Sequence, residues 1–239
     1  MLNHLIELRK RIIHVLLVFT SFFLLFFFFA NHLLHTVFIP LLKTLPESQP
    51  IIATQITSPL ITPIQLAVNA ATLCSMPFIL WQIWCFVAPG LYQRERHNLR
   101  RAFLSSVVLF VLGMLFCFYL VLPFMFQFFA KAVPSDVRFM PDMTYALDFI
   151  TRMLLLFGFC FQVPLVCLTL IHLKLIDLGL LKTIRPYVIV VAFILGMLLT
   201  PPDVVSQITL AIPLCLLYEL GIFFATLHFS KLNYSQEQK

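Results

Sequence analysis

FVAPGLYQRERHNLRR, residues Phe86 to Arg101, is a short polar island between two long apolar runs, and its reading decides the fold. Pro89-Gly90 stops the helix before it. Four arginines, Arg94, Arg96, Arg100 and Arg101, then surround a single acid, Glu95. If Tyr92 to Arg101 opens a helix, the positions three and four residues from Glu95 are Leu91, Tyr92, Asn98 and Leu99, none of them basic. Glu95 is thus a carboxylate in a basic collar, open to a visiting cation.

The runs on either side of the island, and four more like them, make the chain a polytopic membrane protein. Hydrophobic residues are 61% of the 239 and charged residues 11%, more apolar surface than a water-soluble domain of this length can hide. Net charge is +6, but the basic residues fall in the gaps between apolar runs and form no stripe along a helix, so they report topology and not nucleic-acid binding. The six cysteines lie inside apolar runs without metal-ligand spacing and read as small packing residues.

Working outward, an all-α membrane protein with six transmembrane helices is expected. The chain is one polytopic domain with spans at 12–34, 64–87, 102–130, 145–173, 187–200 and 204–227. Residues 1–14 are a basic amphipathic lead-in. Residues 35–63, with Pro40, Pro46, Pro50, Pro59 and Pro63, read as an outer cap of short helices on the membrane surface. Residues 88–101 and 174–186 are loops, and the tail from Phe229 is polar and loose. The apolar run 187–200, fourteen residues at ~1.5 Å each, reaches roughly 21 Å against roughly 30 Å of hydrocarbon, so the fifth helix and its partner are short.

Six crossings put both ends on one side. Twelve of the sixteen Lys and Arg fall in the N-terminus, the central loop, the 174–186 loop and the tail, whereas Lys43, Lys131, Arg138 and Arg152 lie opposite. Both termini and the Glu95 loop are therefore expected in the cytoplasm.

Glu7, in HLIELRKR, shares that side. Lys10 and Arg11, three and four residues on, are ordinary helical partners for it. Paired with Glu95 it makes a receptor for two guanidinium groups, whose planar forks an ammonium cannot match. Gln162 sits mid-span, two residues before Pro164, and serves either a polar function or the kinked backbone. Asp148 and Arg152 have the spacing of a helical ion pair. Met197, Thr200 and Gln207 gather at the outer ends of the last two helices, where a polar partner helix could dock, although Thr200 has the alternative of capping its own helix. Glu219 reads as a snorkelling interfacial acid. H-E-x-x-H, G-x-S-x-G and phosphate-loop motifs are missing from the sequence, which points away from an enzyme.

HLIELRKR, FVAPGLYQRERH, FQVP and above all RPYVIVVAFILGMLLTPPDVVSQ closely resemble the TatC family, the core receptor subunits of the twin-arginine protein translocase, over nearly the whole chain. The resemblance implies a cupped TatC-like bundle with short fifth and sixth helices, in a bacterial inner membrane. It implies a receptor for the twin-arginine signal peptides of folded cargo, driven by the proton-motive force. The partners implied are TatB-like and TatA-like single-span subunits, further copies of the chain, and the lipid bilayer, with no cofactor, metal or nucleic acid. Glu7 and Glu95 match the family's arginine-binding glutamates, and Phe86 a position in the same loop. Pro40 matches a position of the outer cap, Asp203 the acid of the TPPD turn, and Met197, Thr200 and Gln207 the partner-helix site. Some relatives carry glutamate where this chain has Gln162, which does not titrate. The competing expectation is a small-solute secondary transporter with a midplane site at Gln162, Asp148 and Arg152, for which no internal repeat is visible.

Overall fold

The computed structural model describes residues 2–42, 51–87, 96–133, 140–172, 176–200 and 203–237. These are helical almost throughout, and the only β-type pairing among them is an isolated bridge between Ile52 and Asp142. The helices are α1 (Leu2–Phe28), α2 (Ala30–Leu42), α3 (Ser58–Val87), α4 (Arg96–Phe116), α5 (Leu122–Ala132), α6 (Met143–Cys160), α7 (Val163–His172), α8 (Leu178–Leu199) and α9 (Val204–Glu237). Among the described residues six stretches are long and apolar enough to cross a membrane: Arg9–Phe28, Ser58–Cys85, Ala102–Ala132, Met143–Ile171, Leu178–Leu199 and Val204–Leu227.

Several ends differ from those expected. The first helix stops at Phe28, short of Leu34, and α2 restarts over the Phe29 carbonyl, which accepts from the His32 and Leu33 amides. Asn31, His32 and His35 make residues 30–36 too polar to prolong a span, whereas Phe38, Pro40 and Leu41 are buried where α2 packs on α3 and α5. α3 takes in Ser58 to Pro63 from the expected cap, because Pro59 sits in its first turn, where no amide donor is needed.

The third span is interrupted. Cys117–Val121 forms a π-helical turn two residues before Pro123. The proline has no N–H for the preceding turn, and the wider turn accommodates the missing bond. Pro164 acts likewise in the fourth span: α6 ends at Cys160 and α7 begins at Val163, with Gln162 N–H bonded to the Phe159 carbonyl at 2.9 Å.

The largest departures are at α8 and α9. α8 starts at Leu178, so most of the expected 174–186 loop is helix. Its first two turns carry Lys182 and Arg185, and the apolar part remains the short run after Pro186. The start is held by packing: Leu181 is buried in a cluster with Cys167, Ile171, Tyr218, Ile222 and Ala225, and Tyr218 Oη donates to the Leu181 carbonyl at 2.7 Å. α9 continues through 229–237, where a loose tail was expected.

Two compact units divide the chain: residues 1–107 with 117–155, and residues 108–116 with 156–239. In the first, α1 lies along α3, and α3 is joined to α6 through polar side chains. Thr144 Oγ1 is 3.1 Å from both Thr62 Oγ1 and Ser58 Oγ, and Asn69 Nδ2 donates to Thr151 Oγ1 at 3.1 Å. Within a bilayer such bonds join helices where the hydrophobic effect does not. The second unit is built on α7, α8 and α9, with α9 packed against both others. Here glycines permit close approach: Phe110 occupies the space of a Cβ on Gly158, and the Phe157 carbonyl that of a Cβ on Gly113.

Candidate functional site

In the first unit, one end of the α1–α3 pair is assembled by Arg11. Its Nη1 donates to the Gln82 carbonyl at 3.2 Å and to Gln82 Oε1 at 3.3 Å, and its Nη2 to the Cys85 carbonyl at 3.2 Å. Carbonyls in the last turns of a helix lack intrahelical donors and carry its negative end, so a guanidinium is a natural cap there. Glu7 lies one turn before Arg11 on α1, and Phe86 directly follows Cys85 on α3. The structure describes the helical backbone of both residues and not their side chains, and Glu95 lies outside the described residues. α4, which begins at Arg96, reaches the same end of α3, since the Phe103 and Trp81 rings meet edge to face with centroids 4.6 Å apart. The first turns of α1, the last turns of α3 and the first turns of α4 therefore converge.

An open, largely apolar recess of about 480 Å³ lies beside this end, lined by Val18, Phe22, Cys74, Pro77, Phe78, Trp81 and Phe103. Its α1 and α3 lining residues lie within the membrane-length stretches Arg9–Phe28 and Ser58–Cys85.

At the other end of this unit, Asp142 caps α6. Its Oδ1 accepts from the Thr144 and Tyr145 amides at 2.8 and 3.1 Å, and its Oδ2 from the Thr54 amide and hydroxyl at 2.9 and 2.6 Å. Burial pushes this carboxyl up, but the Thr54 hydroxyl and the three amides outweigh it and hold the pKa below its ordinary value. Asp148 and Arg152 form the expected pair, at 2.8 Å and well exposed. They satisfy each other and leave neither charge waiting for a solute.

In the second unit, Gln162 is buried at the break between α6 and α7. Beside it, Phe116 contacts Phe157 and Phe161 with centroids 5.9 and 5.6 Å away. Met197, Thr200 and Gln207 separate into two roles. Met197 is exposed. Thr200 is buried and ends α8, with both its N–H and its Oγ1 donating to the Gly196 carbonyl at 2.9 Å. Gln207 Nε2 reaches from α9 to the Phe193 carbonyl of α8 at 2.9 Å, over Gly196, where a Cβ would lie 3.1 Å from Gln207 Cγ. Asp203 starts α9 by accepting the Ser206 amide at 2.7 Å. Pro40 is buried within α2.

Two contacts were not legible in the sequence. Arg11, which read as a helical partner for Glu7, binds α3 carbonyls 71 and 74 positions away. Glu219 read as a snorkelling acid, yet its Oε2 pairs with Arg185 Nη2 at 2.8 Å. Only the basic residue at a helix start and the acid inside an apolar run hinted at them.

The family model for Sec-independent protein translocase protein (TatC) matches residues 3–213. The Sec-independent protein translocase protein TatC of Haemophilus influenzae is 41% identical over 225 residues, covering 94% of this chain and 88% of that protein. The TatC protein of Escherichia coli K12 is also 41% identical, over 231 residues and 97% and 90% of the two chains. A crystal structure of the twin arginine translocase receptor TatC superimposes with a TM-score of 0.82 at 33% identity, over 94% of this chain and 98% of that one. The crystal structure of the same receptor in DDM gives 0.84 at 33% identity, over 93% and 99%.

Proposed function

This chain belongs to the TatC family of twin-arginine translocase receptors, and on that premise we propose that it binds the paired arginines of a signal peptide through Glu7 and Glu95. Phe86, which directly follows Cys85 on α3, takes part in the same site. What supports this reading is that Arg11 joins α1, which carries Glu7, to the last turns of α3, which carry Phe86, and that the Trp81–Phe103 contact brings α4, which begins one residue after Glu95, to the same end of α3.

An exposed carboxylate–guanidinium pair contributes only ~0.2 to 1 kcal/mol, so two of them supply specificity more than affinity. Affinity comes from burying the signal's apolar segment at ~25 cal/mol per Å², beginning in the recess lined by Val18, Phe78 and Phe103. Folded cargo then moves with TatB-like and TatA-like single-span subunits and further copies of this chain, at the expense of the proton-motive force. These subunits dock at the α8–α9 turn, where Met197 supplies exposed surface, Thr200 and Asp203 cap their own helix ends and Gln207 ties α9 to α8. Pro40 shapes the outer cap, and Gln162 stabilises the α6–α7 break without carrying protons. The membrane is the bacterial inner membrane, with both termini in the cytoplasm.

The test is site-specific crosslinking from position 95 to a signal peptide carrying Arg-Arg or Lys-Lys. Capture of Arg-Arg in preference to Lys-Lys is expected. Equal capture of the two removes the arginine-receptor reading.

A further inference from the structure

A second cationic feature lies between the start of α8 and the middle of α9, at the end of the hairpin away from its turn. Lys182 and Arg185, one helical turn apart in the polar start of α8, border an open recess of about 290 Å³. The rest of its lining is Glu219, Ile222, Phe223, Thr226 and Leu227 of α9. Arg185 Nη2 neutralises Glu219, but Arg185 Nε is closed off from solvent with no acceptor, and Lys182 is exposed with no ion pair among the described residues. Two cations against one acid leave a net positive charge, beside the apolar Ile222 and Phe223.

We propose that this recess binds the phosphate of an anionic membrane phospholipid, its acyl chains lying along the apolar wall of α9. The depth is right for a headgroup pulled inward. Arg185 is fifteen residues from Thr200 and Glu219 sixteen from Asp203, which sets the charged level roughly 22 to 24 Å from the α8–α9 turn. The hydrocarbon layer is roughly 30 Å thick, so phosphates held at Lys182 and Arg185 sit below the usual headgroup level. The Arg185 guanidinium, half-exposed beside its carboxylate, carries a fixed positive charge at the recess, and the lysine adds a mobile second charge that suits a phosphate oxygen. Free phosphate offers the same oxygens but gains nothing from the apolar wall, so the lipid is the favoured ligand. Neither arginine recognition nor partner docking requires a lipid here.

The test uses the full-length protein extracted from vesicles of equimolar phosphatidylcholine and phosphatidylglycerol, with bound lipids read by native mass spectrometry. The unaltered protein is expected to retain phosphatidylglycerol over phosphatidylcholine. Lys182→Gln, which breaks no ion pair, should lower that preference roughly fivefold, the effect of one interfacial cation. The neutral pair Arg185→Gln/Glu219→Gln should lower it as well, while Lys182→Arg keeps it. Equal retention of the two lipids, or an unchanged preference in a Lys182→Gln protein with unaltered thermal unfolding, overturns the proposal. Displacement of the lipid by millimolar inorganic phosphate overturns it in favour of a free-anion site.

Discussion

A methyl group added at Gly158 would meet Phe110 Cε2 at 2.5 Å, closer than real side chains approach, and Phe110 is itself fully buried. Gly158→Ala is therefore expected to destabilise the protein by about 1 to 3 kcal/mol through overpacking, read as a lowered unfolding temperature in detergent. Gly179→Ala is the contrast, because nothing lies within 4 Å of the added group, and it should leave stability unchanged or slightly raised. A matching loss at both positions would mean that packing at Phe110 is not the cause. The glutamates belong to the same scale. Glu95→Gln should weaken binding of an Arg-Arg peptide by no more than about fivefold while removing its advantage over Lys-Lys. Gln162→Glu places an ionisable group at a buried helix break, so it should change transport efficiency and leave peptide capture intact. Loss of capture would tie Gln162 to signal binding.

Among the elements, α6 starts at its own cap Asp142, which Thr54 holds from 88 positions away, and α8 starts where Tyr218 holds it. Asp142 has its pKa lowered by the bonds it accepts, so its charged form is favoured in the folded state. Its contribution is present above the ordinary value of 3.8 and is lost as pH falls through the depressed folded pKa. The stability margin of the native protein over Asp142→Asn should be constant near neutrality and shrink on acidification, measured by thermal unfolding over that pH range. A margin that grows toward low pH has the wrong sign for this cap. For α8, Tyr218→Phe deletes the donor to the Leu181 carbonyl. Expected are a loss of about 0.5 to 1.5 kcal/mol and faster amide exchange over 178–185, with 190–199 unchanged. Uniform acceleration along α8 would show that Tyr218 does not act locally.

For the whole molecule, the described residues hold six helices of membrane-crossing length, and the bias of Lys and Arg supports our proposal that both termini lie in the cytoplasm. A phosphatase active only after export should be silent when fused at the C-terminus and active in the connection before α6, and the reverse pattern would invert the topology. The sequence alone determined the helical class, the span count and the break before Pro164, because an apolar window or a proline acts on its own few residues. It also pointed to Glu7 and Glu95, through family resemblance and the basic surround of the latter. The helix ends it misjudged are those set from elsewhere: α8 reaches back to Leu178 on the strength of Tyr218, and α2 separates from α1 to bury Phe38 and Leu41. Tertiary structure likewise decided that Arg11 caps α3, that Arg185 takes Glu219, and that Phe110 fills the space over Gly158. Such choices join groups 34 to 74 positions apart, and their energies exist only once packing has brought the partners within reach of each other.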